Sequence, residues 1–173
     1  MKKFELTTES IETVSGEKLF RIKALVSFDA VEAGELGGYV EKEENLSHEG
    51  NAWVYDNAQV YGNARVYGNA RVHGNARVHG NAQVCGDADI YDNSQKSSVD
   101  GFGSENRTTT FFREKSGGVG VKCGCFYGTL DEFREKVRKT HGDSEIAQEY
   151  LAIADVEERR FKRVAKKGEE TDD

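Results

Sequence analysis

Proline is absent from all 173 residues, and methionine and tryptophan occur once each. Proteins ordinarily carry about 5% proline, so this chain makes its turns with something else, and glycine, at 19 residues, is abundant. Cysteine is scarce and odd in number, with three residues, which argues against a disulfide framework. Cys123 and Cys125 stand too close in sequence to favour pairing with each other, and all three read as reduced thiols. A run of 18 apolar residues is lacking, which excludes a membrane-spanning helix. The opening Met1-Lys2-Lys3-Phe4-Glu5 is not followed by the apolar stretch of a secretory signal, so the cytoplasm is the expected compartment. Cations are outnumbered, 24 Lys and Arg against 31 Asp and Glu for a net charge of -7. That balance argues against direct nucleic-acid binding, which needs clustered Lys and Arg. With 36% hydrophobic and 32% charged residues, nine Phe and seven Tyr, the chain is polar but aromatic enough to fold. Its length suits one domain or two small ones.

The repeats decide the architecture. From Asn51 the chain reads NAWVYD NAQVYG NARVYG NARVHG NARVHG NAQVCG DADIYD NSQKSS, a period of six whose last member decays. Ala52, Ala58, Ala64, Ala70, Ala76, Ala82 and Ala88 hold position two; Val54, Val60, Val66, Val72, Val78, Val84 and Ile90 hold position four. Alternation of side chains along an extended strand puts these two positions on one face, which becomes a repeated small-large core. Gly-Asn, Asp-Asn or Gly-Asp at the boundaries tolerate positive φ and turn the chain after each short strand. Three such hexads make an 18-residue coil, and stacked coils pair as parallel strands. The predicted fold is mainly β, a parallel β-helix solenoid over 31–98. An N-terminal β-hairpin cap occupies 1–30, and a C-terminal β-hairpin with two α-helices occupies 99–173. Val31, Leu36, Val40 and Leu46 are expected to line an imperfect first coil.

If residue n lies beneath n+18, position three forms the columns Trp53-Arg71-Asp89, Gln59-Arg77-Gln95 and Arg65-Gln83. Position five forms Tyr55-His73-Tyr91, Tyr61-His79-Ser97 and Tyr67-Cys85. One wall then carries Trp53, Tyr55, Arg71, His73, Asp89 and Tyr91, with Arg71 over Trp53 in cation–π range. Such ladders can serve stability alone; Trp, Tyr and Arg are also the types that dominate interface hot spots, so this wall is the candidate binding surface. Residues 29–50 hold seven carboxylates against one lysine. Glu41, Glu43 and Glu44 within that patch leave room for a basic protein partner.

The flanks carry ordinary signals. Phe4 to Leu6, Ile11 to Val14 and Leu19 to Val26 read as two or three antiparallel strands around a Ser15-Gly16-Glu17-Lys18 turn. Thr108 to Arg113 and Val119 to Phe126 flank a Ser116-Gly117-Gly118 turn. Thr129 and Glu132 form a capping box ahead of Leu130, Phe133 and Val137, a helix ending at Gly142. A longer helix opens at Asp143 or Ser144 with Ile146, Tyr150, Ile153, Phe161 and Val164 on one side, ending near Gly168, and residues 169 to 173 read as a tail. These elements cover the unpaired strand edges that a solenoid exposes at its ends.

Val60-Tyr61-Gly62-Asn63-Ala64-Arg65 resembles the hexapeptide-repeat family, with its aliphatic and small residues at fixed places; Tyr61, Tyr67, His73, His79 and Cys85 depart from it where the family has small or acidic residues. The resemblance implies a left-handed parallel β-helix. Many relatives of that kind are acyltransferases, often trimers, with a histidine as general base, so His73 and His79 come into question. Both are better explained as replacements of Tyr at one repeat position, and no loop is inserted to close over a substrate. Cys123-Gly124-Cys125 with His141 or Cys85 lacks the spacing of a metal site. Gly117 to Gly120 opens no helix, and His48 and His141 read as surface residues. No motif calls for a cofactor.

Residues 36–41, 45–54, 123–133 and 150–156 together resemble small proteins carried by phages and prophages of bacteria. That setting implies a non-enzymatic protein that binds a host protein or ribonucleoprotein complex, in its most specific form an inhibitor of a bacterial defence complex of the anti-CRISPR kind. A phage structural or self-associating protein, as a dimer or trimer, and an acyltransferase are the alternatives.

Overall fold

In a computed structural model the chain is described over residues 1–169, so the expected tail beyond Glu169 lies outside the described residues. The protein is mainly β with two helices and divides into two compact units, Met1–Asn93 and Ser94–Asp173.

The first unit begins with β1 (Phe4–Glu12) and β2 (Lys18–Ala24), antiparallel as expected, followed by β3 (Leu36–Val40) against β2. The hexads then form two-residue strands: β4 (Trp53–Val54), β5 (Gln59–Val60), β6 (Arg65–Val66), β7 (Arg71–Val72), β8 (Arg77–Val78), β9 (Gln83–Val84) and β10 (Asp89–Ile90). Successive hexads go to different sheets. Strands β4, β7 and β10 pair in parallel, as do β5 with β8 and β6 with β9. In every one of these pairs the register is n with n+18: Trp53 beside Arg71, Arg71 beside Asp89, Gln59 beside Arg77, Arg65 beside Gln83. The sheets are small and open.

The physical cause is the one the sequence suggested. The Ala at position two and the Val or Ile at position four are buried in all seven hexads, and Gly62 at φ 69° turns the chain between strands where an L side chain would be strained. Asp56 takes the same left-handed conformation, φ 52°, and its carboxylate accepts from the Gly74 N–H at 3.0 Å. Asparagines at position one form ladders of their own, Asn51 to Asn69 and Asn69 to Asp87.

Strand β3 joins the two pairing styles: antiparallel to β2 on one side, parallel to β5 on the other, in the order β1-β2-β3-β5-β8. Val40 lies beside Val60 and Leu46 bridges Val66, a step of 20 residues. The segment before the hexads is therefore two residues longer per step than the repeat proper. Val31, Val40 and Leu46 are buried as expected, but Leu36 is exposed; it stands at the start of β3 beside Lys23 on an outer part of the antiparallel sheet.

The second unit corrects one expectation. In place of a single hairpin it has an antiparallel four-stranded sheet: β11 (Lys96–Phe102), β12 (Arg107–Arg113), β13 (Val119–Cys123) and β14 (Phe126–Thr129). Strand β11, Lys-Ser-Ser-Val-Asp-Gly-Phe, is poor in apolar residues and was legible only as the decaying last hexad. Helix α1 (Leu130–His141) has the expected capping box and ends at Gly142, and α2 (Glu145–Glu169) follows. The core here is Phe111, Val121, Leu130, Phe133, Val137, Ala147, Tyr150, Ala154 and Phe161. The buried stripe of α2 runs through Ala147, Tyr150, Ala154 and Phe161, with Ile146 and Ile153 at its margin. No helix among the described residues is long and apolar enough to cross a membrane.

Candidate functional site

The n to n+18 register brings most of the expected wall together. Parallel strands lie about 4.8 Å apart, so rings at equal repeat positions meet face to face. Tyr55 and His73 stack at 4.4 Å between centroids with 7° between planes, and His73 and Tyr91 at 4.5 Å with 7°. Tyr61 and His79 repeat the arrangement on another wall at 5.2 Å. His73 Nε2 lies 3.1 Å from Asp89 Oδ1. Burial pushes the Tyr55 and Tyr91 phenols above their ordinary range, and Asp89 adds to the effect on Tyr91. Tyr91 is 54% exposed and presents the end of the stack to solvent.

Trp53 is a correction. It is fully buried, 0% exposed, and cannot touch a partner. Phe28 packs edge-on against it at 5.4 Å and Phe4 at 6.3 Å. The N-terminal segment thus covers the first row of this wall, which hexad periodicity alone does not reveal. Its indole N–H has no hydrogen-bond partner among the described residues. Nor does Arg71 stack on Trp53: its guanidinium pairs with Asp29, which raises the Arg71 pKa. Asp29 sits at φ 46° in the tight turn closed by the Phe28–Val31 bridge, so one turn supplies both the lid on Trp53 and the partner of Arg71.

The acidic candidates have separate roles. The Glu41 carboxylate accepts from the Gly62 N–H at 2.6 Å and caps a corner of the repeat. Glu43 accepts from Lys2 at 2.7 Å and lies 3.5 Å from His48, and the lysine beside it lowers its pKa. Glu44 is exposed. Glu43, Glu44, His48, Arg65 and Tyr67 line an open groove of about 520 Å³.

His48 and His141, expected at the surface, are both half-buried against aromatic rings. His48 stacks on Phe4 at 4.3 Å and its Nδ1 accepts from the Lys3 N–H at 3.2 Å. His141 stacks on Tyr150 at 5.9 Å. Among the buried polar residues that escaped the sequence reading, Lys3 and Asn45 hold backbone carbonyls. Lys3, 3% exposed, donates to the carbonyls of Gly50 at 3.2 Å and Ala52 at 2.8 Å, and burial pushes its ammonium down to about 8. Asn45 donates to the carbonyls of Gly62 at 3.1 Å and Ala64 at 2.8 Å. Neither carries a local signal, since a lysine near a terminus and an asparagine in an acidic stretch both read as solvated. No group of three or more His, Cys, Asp or Glu among the described residues is placed to hold a metal ion.

No curated protein matches the chain. Residues 58–74 and 64–80 match the family model of the YdcK β-solenoid repeat. The hexads thus carry a β-solenoid repeat similar to that family's.

Proposed function

We propose that this chain is a non-enzymatic binding protein that engages a host macromolecule, most specifically an inhibitor of a bacterial defence complex. The observation that carries the reading is the wall formed by Arg71, His73, Asp89 and Tyr91. Its backbone is tied by parallel pairing and its rings by stacking, so little side-chain freedom is left to lose on association. Tyr and Arg are frequent interface hot spots, and Tyr91 stands open to solvent. The acidic stretch 29–50, with Glu44 exposed, favours a basic partner surface. The phage or prophage setting, and with it the defence complex, rests on the likeness of residues 36–41, 45–54, 123–133 and 150–156 to phage-borne proteins. The same reading takes the three parallel sheets as walls of a hexapeptide-repeat β-helix. The 18-residue step supports three strands per coil, and left-handedness follows from the resemblance to that family.

The test is affinity capture of the tagged chain from a bacterial lysate with active defence systems, challenged with salt. A stoichiometric defence protein or ribonucleoprotein is expected, and an Arg71→Glu/Tyr91→Ala variant should lose it while staying folded by circular dichroism, with an unfolding midpoint lowered only by the ring stack and ion pair it gives up. If that variant captures every partner the wild type does, the wall is not the binding surface. Recovery of the chain alone as a defined oligomer replaces the reading with a self-associating one.

The His73–Asp89 pair favours a second reading, acyl transfer with His73 as base. Against it, Asp89 already engages Nε2, and Tyr55 and Tyr91 cover both ring faces. Acetyl-CoA turnover by the wild type, lost in His73→Ala, would decide for it.

A further inference from the structure

The loop between β13 and β14 places two thiols at one cavity. Cys123 ends β13 and pairs with Phe126, which begins β14, so Gly124 and Cys125 are a two-residue hairpin loop. Gly124 takes φ 56°, and the Arg107 guanidinium packs where a Cβ would stand. Cys123 and Cys125 both line a cavity of about 170 Å³, together with Arg107, Lys136, His141 and Tyr150. The two sulfurs differ in access: Cys125 is exposed, Cys123 half-buried, and the third cysteine, Cys85, is buried. The Thr109 hydroxyl donates to Cys123 Sγ at 3.2 Å and holds it at the cavity wall, which Tyr150 also lines.

We propose that Cys123 and Cys125 are a redox-modification site for an anionic low-molecular-weight disulfide, with Cys125 the attacking thiol and Cys123 the resolving one. An exposed cysteine beside a recessed second one is the arrangement that redox-sensing thiols use. Two peptide steps of 3.8 Å bent through a tight turn leave the Cα atoms of residues 123 and 125 roughly 6 Å apart, inside the range a disulfide tolerates. Arg107, Lys136 and Glu105 line the cavity, with Glu105 3.6 Å from Arg107, and the remaining positive charge draws an anionic reagent. The short spacing that makes this pair unsuitable as a structural bridge makes its disulfide strained and easily reduced, which is the property of a regulatory one.

The chemistry balances in two exchanges. The Cys125 thiolate attacks one sulfur of the small disulfide; that S–S bond breaks, and one small thiolate leaves with the electron pair and takes up a proton. The Cys123 thiolate then attacks Cys125 Sγ, expelling the second small thiol in the same way. Two protein thiols are oxidised by two electrons, and the small disulfide is reduced to two thiols. The new bond takes Cys123 Sγ away from Thr109 at a cavity that Tyr150 also lines, and Tyr150 packs on Phe133 of the second unit's aromatic core at 5.8 Å.

The test uses the full chain equilibrated with oxidised and reduced glutathione, quenched by alkylation and digested with trypsin. Cleavage after Lys122 and Arg134 leaves both cysteines in one peptide. The wild-type peptide is expected to lose two hydrogens and escape alkylation, after passing through a transient glutathione adduct. Cys123→Ser should stop at a lasting adduct on Cys125, and Cys125→Ser should give much less adduct on Cys123. A wild type that keeps its adduct as Cys123→Ser does, that stays fully alkylated, or that forms only disulfide-linked dimers overturns the proposal. The wild-type time course decides alone should either serine variant fail to fold.

Discussion

The imidazole of His73 lies between two phenol rings, 4.4 Å from Tyr55 and 4.5 Å from Tyr91, and its Nε2 is 3.1 Å from Asp89. Stacking and hydrogen bonding here come from three consecutive rungs of one parallel sheet. Each aromatic pair is worth about 0.5–1.5 kcal/mol beyond the area it buries. His73→Ala removes two pairs and leaves Asp89 without its imidazole, so a loss of about 2 kcal/mol is expected. His73→Tyr keeps the stack and should recover part of it. Urea midpoints of the two variants check this.

Trp53 and Arg71 are neighbours on adjacent strands with opposite consequences. Trp53→Ala opens a cavity beneath Phe4 and Phe28 and should cost about 3–5 kcal/mol. Arg71→Ala removes a partly exposed ion pair with Asp29, an interaction of about 1 kcal/mol or less. Chemical denaturation separates them; comparable losses would mean that the lid over Trp53 is held by the ion pair.

Lys3 sets a pH dependence. Its folded-state pKa is lowered to about 8 from the ordinary 10.5. Between those values the unfolded chain holds a proton the folded chain has shed, so the Lys3 contribution to stability rises with pH across that window and is flat below it. The stability of the wild type relative to Lys3→Met should therefore rise from pH 8 to pH 10. A difference that stays flat over that range would show that the two carbonyl bonds to Gly50 and Ala52 hold Lys3 as the ammonium.

Thr129 caps α1: its hydroxyl accepts from the Glu132 N–H while the Glu132 carboxylate accepts from the Thr129 N–H at 2.7 Å. Thr129→Ala should destabilise the second unit by about 1 kcal/mol. Amide exchange is expected to speed up first over Leu130 to Phe133, the turn that loses its cap.

Much of this was legible in residue order. Ala and Val at positions two and four, and Gly or Asp at the corners, state a local rule that each hexad obeys independently, and the stack Tyr55-His73-Tyr91 follows from counting 18. The capping box of α1 was equally plain because its two residues are three apart. Strand β11 was not legible, since it pairs with β12 through backbone bonds while its own side chains carry little apolar signal. The burial of Trp53 was hidden for a different reason: the hexad rule assigns it outward, and Phe4 and Phe28, both far earlier and outside any repeat, cover it.

The sequence by itself determined the repeat, its 18-residue register, the inward Ala and Val, and both helices, because those depend on side-chain alternation, backbone φ and contacts a few residues apart. The tertiary structure alone decided which parts of the outward wall reach solvent. It also decided that Arg71 turns to Asp29, that Lys3 and Asn45 hold carbonyls inside, and that two cysteines share a cavity with Tyr150. Those outcomes depend on which distant segment lies over which row, and excluded volume and hydrogen-bond satisfaction settle that only when the whole chain is packed.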